Sequence, residues 1–173
     1  MCINGRRRRP SPPEMAVNVE ASMARYFRTI VSAFAGALLA ALPALAGEQV
    51  NKDGDDIAIK GYDPVAYFTE SRPVQGKEEF EHEWESARWR FSSVEHRELF
   101  ASAPDKYAPR YGGFCASAMA LGWKAPIDPE AWVIVDGKLY LNYSKDGRDE
   151  FAEEPAPPIA KAAANWERLG KVE

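Results

Sequence analysis

Trp132-Val133-Ile134-Val135-Asp136-Gly137-Lys138-Leu139-Tyr140-Leu141 decides the fold class. Two runs rich in β-branched, aromatic and other apolar residues are split by Asp-Gly, the pair that most readily takes positive φ at both central positions of a type I′ turn. The stretch therefore predicts a tight antiparallel hairpin. Upstream, Phe80, His82 and Trp84 alternate with Glu81, Glu83 and Glu85, and Trp89 and Phe91 alternate with Arg88 and Arg90. Period-2 runs of this kind predict a second hairpin, its turn at Ser86-Ala87, with glutamates facing arginines across one side.

Helical signals fill the space around these hairpins. Ser92 or Ser93 is placed to cap a helix that carries Val94, Arg97, Leu99 and Phe100 and stops at Pro104. Ile57-Ala58-Ile59 reads as a short strand, Gly61-Tyr62-Asp63-Pro64 as a turn, and Val65 to Phe68 as an apolar turn or short helix. Tyr107-Ala108-Pro109-Arg110-Tyr111 is an extended connector. Gly112-Gly113 then opens a helix over 114–121, which Gly122 closes. A loop is expected over 126–129, and two further helices at 145–151 and 159–169, the last anchored by Trp166. Paired hairpins with helices grouped between and after them describe one small α+β domain.

The N-terminal part reads differently. Between Ile30 and Ala46 the chain is rich in Ala and Leu and carries no charge. Arg25 and Arg28 precede this run, Pro43 breaks it, and Ala44-Leu45-Ala46 supplies small residues at the −3 and −1 positions of a cut. These are the three parts of a secretory signal over 23–46, cleaved after Ala46. A membrane span needs about 20 apolar residues, and here Glu48, Gln49, Asn51 and Lys52 follow at once. The expectation is a periplasmic or secreted protein with no stable membrane anchor after cleavage. The basic run Arg6 to Arg9 lies too far from the apolar segment to belong to it. Translation is expected to start at Met23, which makes 1–22 a mis-assigned or disordered extension. Residues 47–56 are then a loose linker and 57–169 the domain.

Removing the six arginines and two glutamates that precede Gly47 from totals of 22 basic and 26 acidic side chains leaves a net charge of about −8. Such a domain gains nothing from counterion release on nucleic acid and has no polybasic patch for anionic lipid. Neither G-x-S-x-G nor H-E-x-x-H occurs, and no carboxylate pair is indicated, so catalysis is not expected. With Cys2 left behind, Cys115 is the only thiol, and no intramolecular disulfide can form. A lone thiol in an oxidising compartment is a buried small hydrophobe, a ligand or a reactive group.

Three blocks of sequence carry a resemblance. They are Gly61-Tyr62-Asp63-Pro64-Val65-Ala66-Tyr67-Phe68, then Trp89-Arg90-Phe91-Ser92-Ser93, then Pro104-Asp105-Lys106-Tyr107. Together they resemble the YHS domain. The segments Tyr107 to Ala116 and Asp128 to Asn142 are similar to an exported bacterial branch of that family. The resemblance covers residues 57–169. It implies a small α+β fold akin to the metal-binding TRASH domain, although exported members mostly lack an assigned activity. Metal-binding members carry cysteines where this chain has Ala66, Ser92 and His96. A cysteine-rich tetrahedral zinc site needs four N or S ligands and cannot be assembled from those positions.

The remaining soft ligands are Cys115, Met119, His96 and His82. Cys115 and Met119 at i and i+4 share a helix face, with His96 on the neighbouring helix, and a Cys/Met/His set suits copper as Cu(I). Against this stands plain core packing among Phe114, Ala118 and Leu121, and for His96 and His82 a place at the boundary of the core. Gly112 and Gly113, beneath Tyr107 and Tyr111, are read either as a close backbone approach or as a place where a small ligand docks on free N–H groups. The resulting expectation is an exported binding module that holds a soft metal ion or small ligand near Cys115. A thiol-redox protein and an accessory domain for another exported protein, its identity open, are the alternatives.

Overall fold

The computed structural model describes residues 49–169. It is an α+β domain in which two antiparallel hairpins carry short helices. Along the chain come α1 (Ala66–Thr69), β1 (Lys77–Trp84), β2 (Ala87–Phe91), α2 (Val94–Ser102), α3 (Pro104–Tyr107), α4 (Ala116–Ala120), β3 (Asp128–Val135), β4 (Lys138–Asn142), α5 (Lys145–Glu153) and α6 (Ala156–Leu169). Two 3-10 turns, Ile59–Gly61 and Arg110–Gly113, complete the order.

The Asp136-Gly137 hairpin forms in the expected register, with Val135 opposite Lys138 and Trp132 opposite Leu141. Both turn residues sit at positive φ, 50° and 71°. In the other hairpin the turn is Glu85-Ser86, at φ 50° and 58°, one residue earlier than the sequence suggested. Ala87 is the reason: it is buried and opens β2 opposite Trp84, so the left-handed positions fall to its two polar predecessors. Glu81 faces Arg90 and Glu83 faces Arg88, as the alternation implied. Arg90 Nε donates to Glu81 at 2.7 Å, and Arg88 approaches the same carboxylate at 3.5 Å.

A two-stranded hairpin is marginal alone, so each is stabilised by a helical face packed on it. Ser93 caps α2 by accepting from the His96 amide at 3.2 Å, and that start aims Phe100 at the first hairpin. The Phe100 ring meets Trp89 and Phe91 at 5.2 Å and Trp84 at 5.7 Å between centroids. Burying a ring of this kind contributes about 1.5–3 kcal/mol. Val65, Tyr67, Leu139, Leu141 and Cys115 extend this cluster. A second cluster gathers Tyr111, Met119, Tyr140, Phe151 and Ala162, with Trp166 of α6 against it. Asn165 ties the two last layers together, its side chain donating to the Met119 and Ala120 carbonyls that end α4.

Several local expectations change. The described part of the expected loose linker is bound to the domain: Val50 is buried, and Asn51 donates from its amide to Gly112 O at 2.8 Å and from its side chain to Gly113 O at 2.9 Å. A Cβ on Gly112 would stand 1.8 Å from the Gln49 carbonyl oxygen, and the φ there is +61°. Close backbone approach is therefore what Gly112-Gly113 provides. Residues 57–59 make only isolated bridges, because Ile59 and Lys60 turn to positive φ. The connector over 107–111 is instead the end of α3 and the start of a 3-10 turn. The expected loop at 126–129 already holds the first residues of β3, and α6 begins at Ala156 because prolines at 157 and 158 fit a first helical turn. Among the described residues no helix is long and apolar enough to cross a membrane. The expected signal at 23–46 and the extension at 1–22 lie outside the described residues.

Candidate functional site

Asp63 is fully buried and organises one polar centre. Pro64 follows it, and the turn lets Oδ1 accept from the amides of Val65 at 2.9 Å and Ala66 at 3.3 Å, starting α1. Oδ2 accepts from Ser92 N at 2.8 Å, Ser92 Oγ at 2.7 Å and His96 Nδ1 at 2.6 Å. A carboxylate at that distance places the proton on Nδ1. The other ring nitrogen, Nε2, lies 3.1 Å from Thr69 Oγ1, whose hydroxyl also reaches Val65 O at 3.2 Å. Both nitrogens of His96 are thus engaged by the protein. Ala66, Ser92 and His96, where the resemblance would put thiolates, do converge in space, but around a carboxylate already supplied with five donors.

The second centre is built on Asn142, the last residue of β4 and also fully buried. Its Oδ1 accepts from Ser117 Oγ at 2.7 Å and Ser117 N at 3.2 Å, with the Cys115 thiol at 3.9 Å. The Ser117 amide can only donate, so it fixes which end of the side chain is oxygen. Among the described residues Asn142 Nδ2 is left without a hydrogen-bond partner. A buried unpartnered donor of this kind costs about 1–3 kcal/mol, and in a native fold it calls for an explanation.

Over this centre runs an apolar groove of about 330 Å³, lined by Cys115, Ala118, Leu121, Trp123, Ala125 and Tyr143 among others. Its walls include three of the most exposed large hydrophobic side chains: Leu121 at 77%, Tyr143 at 66% and Trp123 at 54%. Cys115 forms the floor and is 3% exposed. Its amide donates to Ala125 O at 3.1 Å, and its sulfur accepts from Ala118 N at 3.4 Å. No charged residue lines the groove. Its size falls in the range of small-ligand sites.

The expected site residues are distributed as follows. Cys115 is not inside a helix over 114–121 but is the N-cap of the shorter α4, so the i, i+4 face it was to share with Met119 does not exist as drawn. Met119 is fully buried in the other core cluster, and His96 belongs to the Asp63 centre. Among the described residues no group of three or more His, Cys, Asp or Glu side chains is arranged to hold a metal ion. Tyr111 donates to Ile159 O at 3.1 Å, and its phenol is pushed up to about 12, chiefly by burial and then by Tyr140. The Tyr107 hydroxyl accepts from Lys106 at 3.0 Å, and its ring packs edge-on against Phe68. Burial likewise holds the Tyr67 phenol far above its ordinary range while it donates to Pro129 O. Burial thus keeps the Tyr67 and Tyr111 phenols protonated near neutrality.

Sequence reasoning gave Asp63, as a residue before proline, only a turn-capping role, which its Oδ1 fills, and it missed the Oδ2 partners, Asn142 and the groove. The signal for Asp63 was available in the Asp-Pro pair two residues before a short helix, but its partners at 92 and 96 are far away in the chain. Compared with family models, with curated proteins and with solved structures, the chain gives no match.

Proposed function

We propose that this chain is an exported YHS-like binding module, and that its working site is the apolar groove over Cys115. The occupant is a small uncharged apolar molecule. One observation carries this reading: three large hydrophobic side chains stand in solvent around a single groove whose floor is the thiol. Leaving them in water is unfavourable, and a ligand that covers them recovers about 25 cal/mol per Å² of apolar area. The wholly uncharged lining selects against ions, and the volume against anything larger than one small molecule. A copper site drawn from Cys115, Met119 and His96 has less support, since both ring nitrogens of His96 and the whole of Met119 are committed elsewhere.

The test is fluorescence titration of the purified protein with N-phenyl-1-naphthylamine, a neutral apolar probe. Saturable one-to-one binding is expected, weakened at least about tenfold by Leu121→Glu, which removes one wall and inserts a charge. Leu121 is 77% exposed, so this substitution leaves the core intact. Uptake that does not saturate, or that ignores Leu121→Glu, would sink the reading.

A further inference from the structure

A second cavity, of about 160 Å³, opens between the Glu85-Ser86 turn, α3, the 3-10 turn at Arg110–Gly113 and α6. It shares no lining residue with the Cys115 groove, so each can fail without the other. Three charged side chains surround it, Glu85, Asp105 and Arg110, and aromatic walls come from Trp84, Tyr111 and Trp166. Among the described residues none of the three charges enters an ion pair. Arg110 thus lines the same cavity as the two acids without pairing with either.

The two acids and the arginine have different neighbours. Partial burial and then the neighbouring Asp105 hold the Glu85 carboxyl above its usual range, so the two acids act on one another. Arg110 instead lies by the Tyr111 ring. Its guanidinium lies 5.9 Å from the Tyr111 ring centre and draws the Tyr111 and Tyr140 phenols down against the effect of burial. Trp166 stands 6.2 Å from Tyr111, between centroids. The cavity thus offers two carboxylates, one guanidinium and an indole wall.

We propose that this cavity binds a compact zwitterion, an ammonium group joined to a carboxylate by a short carbon chain. The ammonium is held between Glu85 and Asp105 against the face of Trp84, and the carboxylate pairs with Arg110. A plain cation would leave Arg110 unanswered, and a plain anion would meet two like charges. The volume lies below the 300–1,000 Å³ of common small-molecule sites, which restricts the ligand to a few heavy atoms.

Glycine betaine, choline and acetate serve as zwitterionic, cationic and anionic probes, followed through the indole N–H signals in nitrogen–proton NMR spectra of the purified protein. Betaine is expected to shift the Trp84 and Trp166 signals at millimolar concentration and to bind at least about tenfold tighter than choline or acetate. Arg110→Gln should bring betaine down to the level of choline, and Asp105→Asn should weaken both. All three charged residues are exposed, so these variants retain the fold, which the unshifted signals of the remaining residues verify. No indole shift with betaine, or choline binding as tightly as betaine, overturns the assignment.

Discussion

Asp63 and Asn142 are the fully buried polar side chains of the described domain, and they are handled in opposite ways. Asp63 accepts five hydrogen bonds from three stretches of chain, the α1 turn, the end of β2 and the first turn of α2. Asn142 uses only its oxygen, toward Ser117 and Cys115, and its amide nitrogen has no partner. A satisfied buried group rigidifies what it touches, whereas a half-satisfied one is retained at a cost. None of the residues that donate to Asp63 lines the Cys115 groove. At the second, the residues Asn142 holds, Cys115 and Ser117, and the residue that follows it, Tyr143, all line the apolar groove. The contrast sets a satisfied buried centre against a half-satisfied one that adjoins an apolar groove.

The sharpest way to break this comparison is Asp63→Ala. It strands two backbone amides of α1, the Ser92 amide and hydroxyl, and His96 Nδ1. Loss of a buried charged partner costs about 3–5 kcal/mol, a large fraction of a small domain's stability. Urea unfolding should show that drop, and a loss under about 1 kcal/mol would mean the five bonds do not carry the fold. Asn142→Leu is the matched substitution at the second centre. It strands the Ser117 amide, while the Ser117 hydroxyl keeps Gly147 O as an acceptor, and it also removes the orphaned donor, so the changes partly cancel. The expected cost is about 1–2 kcal/mol. Equal losses at the two positions would erase the distinction between them.

Which parts could be read from the sequence follows from the range of the interactions. The Asp136-Gly137 hairpin and the Ser93 cap are encoded within a few residues, and both stand where the pattern put them. The cross-strand pairing of Glu81 with Arg90 was legible for the same reason. The Glu85-Ser86 turn was displaced by one residue, because burial of Ala87 is a tertiary demand that local alternation does not contain. Likewise His96 looked like a boundary residue among Glu95, Arg97 and Glu98 until Asp63, 33 positions away, was placed on its ring. The lone thiol of the expected exported domain drew attention to Cys115 but gave nothing of its geometry. Cys115 caps a five-residue helix and floors a groove whose far wall, Tyr143, comes from after β4.

The smallest expected effect decides which residue holds the second centre. The Cys115 thiol reaches Asn142 Oδ1 at 3.9 Å, a weak sulfur contact, and its sulfur accepts one amide at 3.4 Å. Ser117 gives the same oxygen an amide and a hydroxyl bond, the latter at 2.7 Å. Cys115→Ala should therefore cost only about 1 kcal/mol, mostly the packing of one sulfur atom, while Ser117→Ala costs as much or more. Unfolding midpoints of the two variants check the order, and naphthylamine binding supplies the second readout. If the groove is the working site, Cys115→Ala changes its floor and alters probe affinity more than stability, because the ligand meets the sulfur that the fold barely uses. A Cys115→Ala loss as large as that of Asn142→Leu would make the thiol a structural member of the buried centre, and the groove above it would lose its claim on that residue.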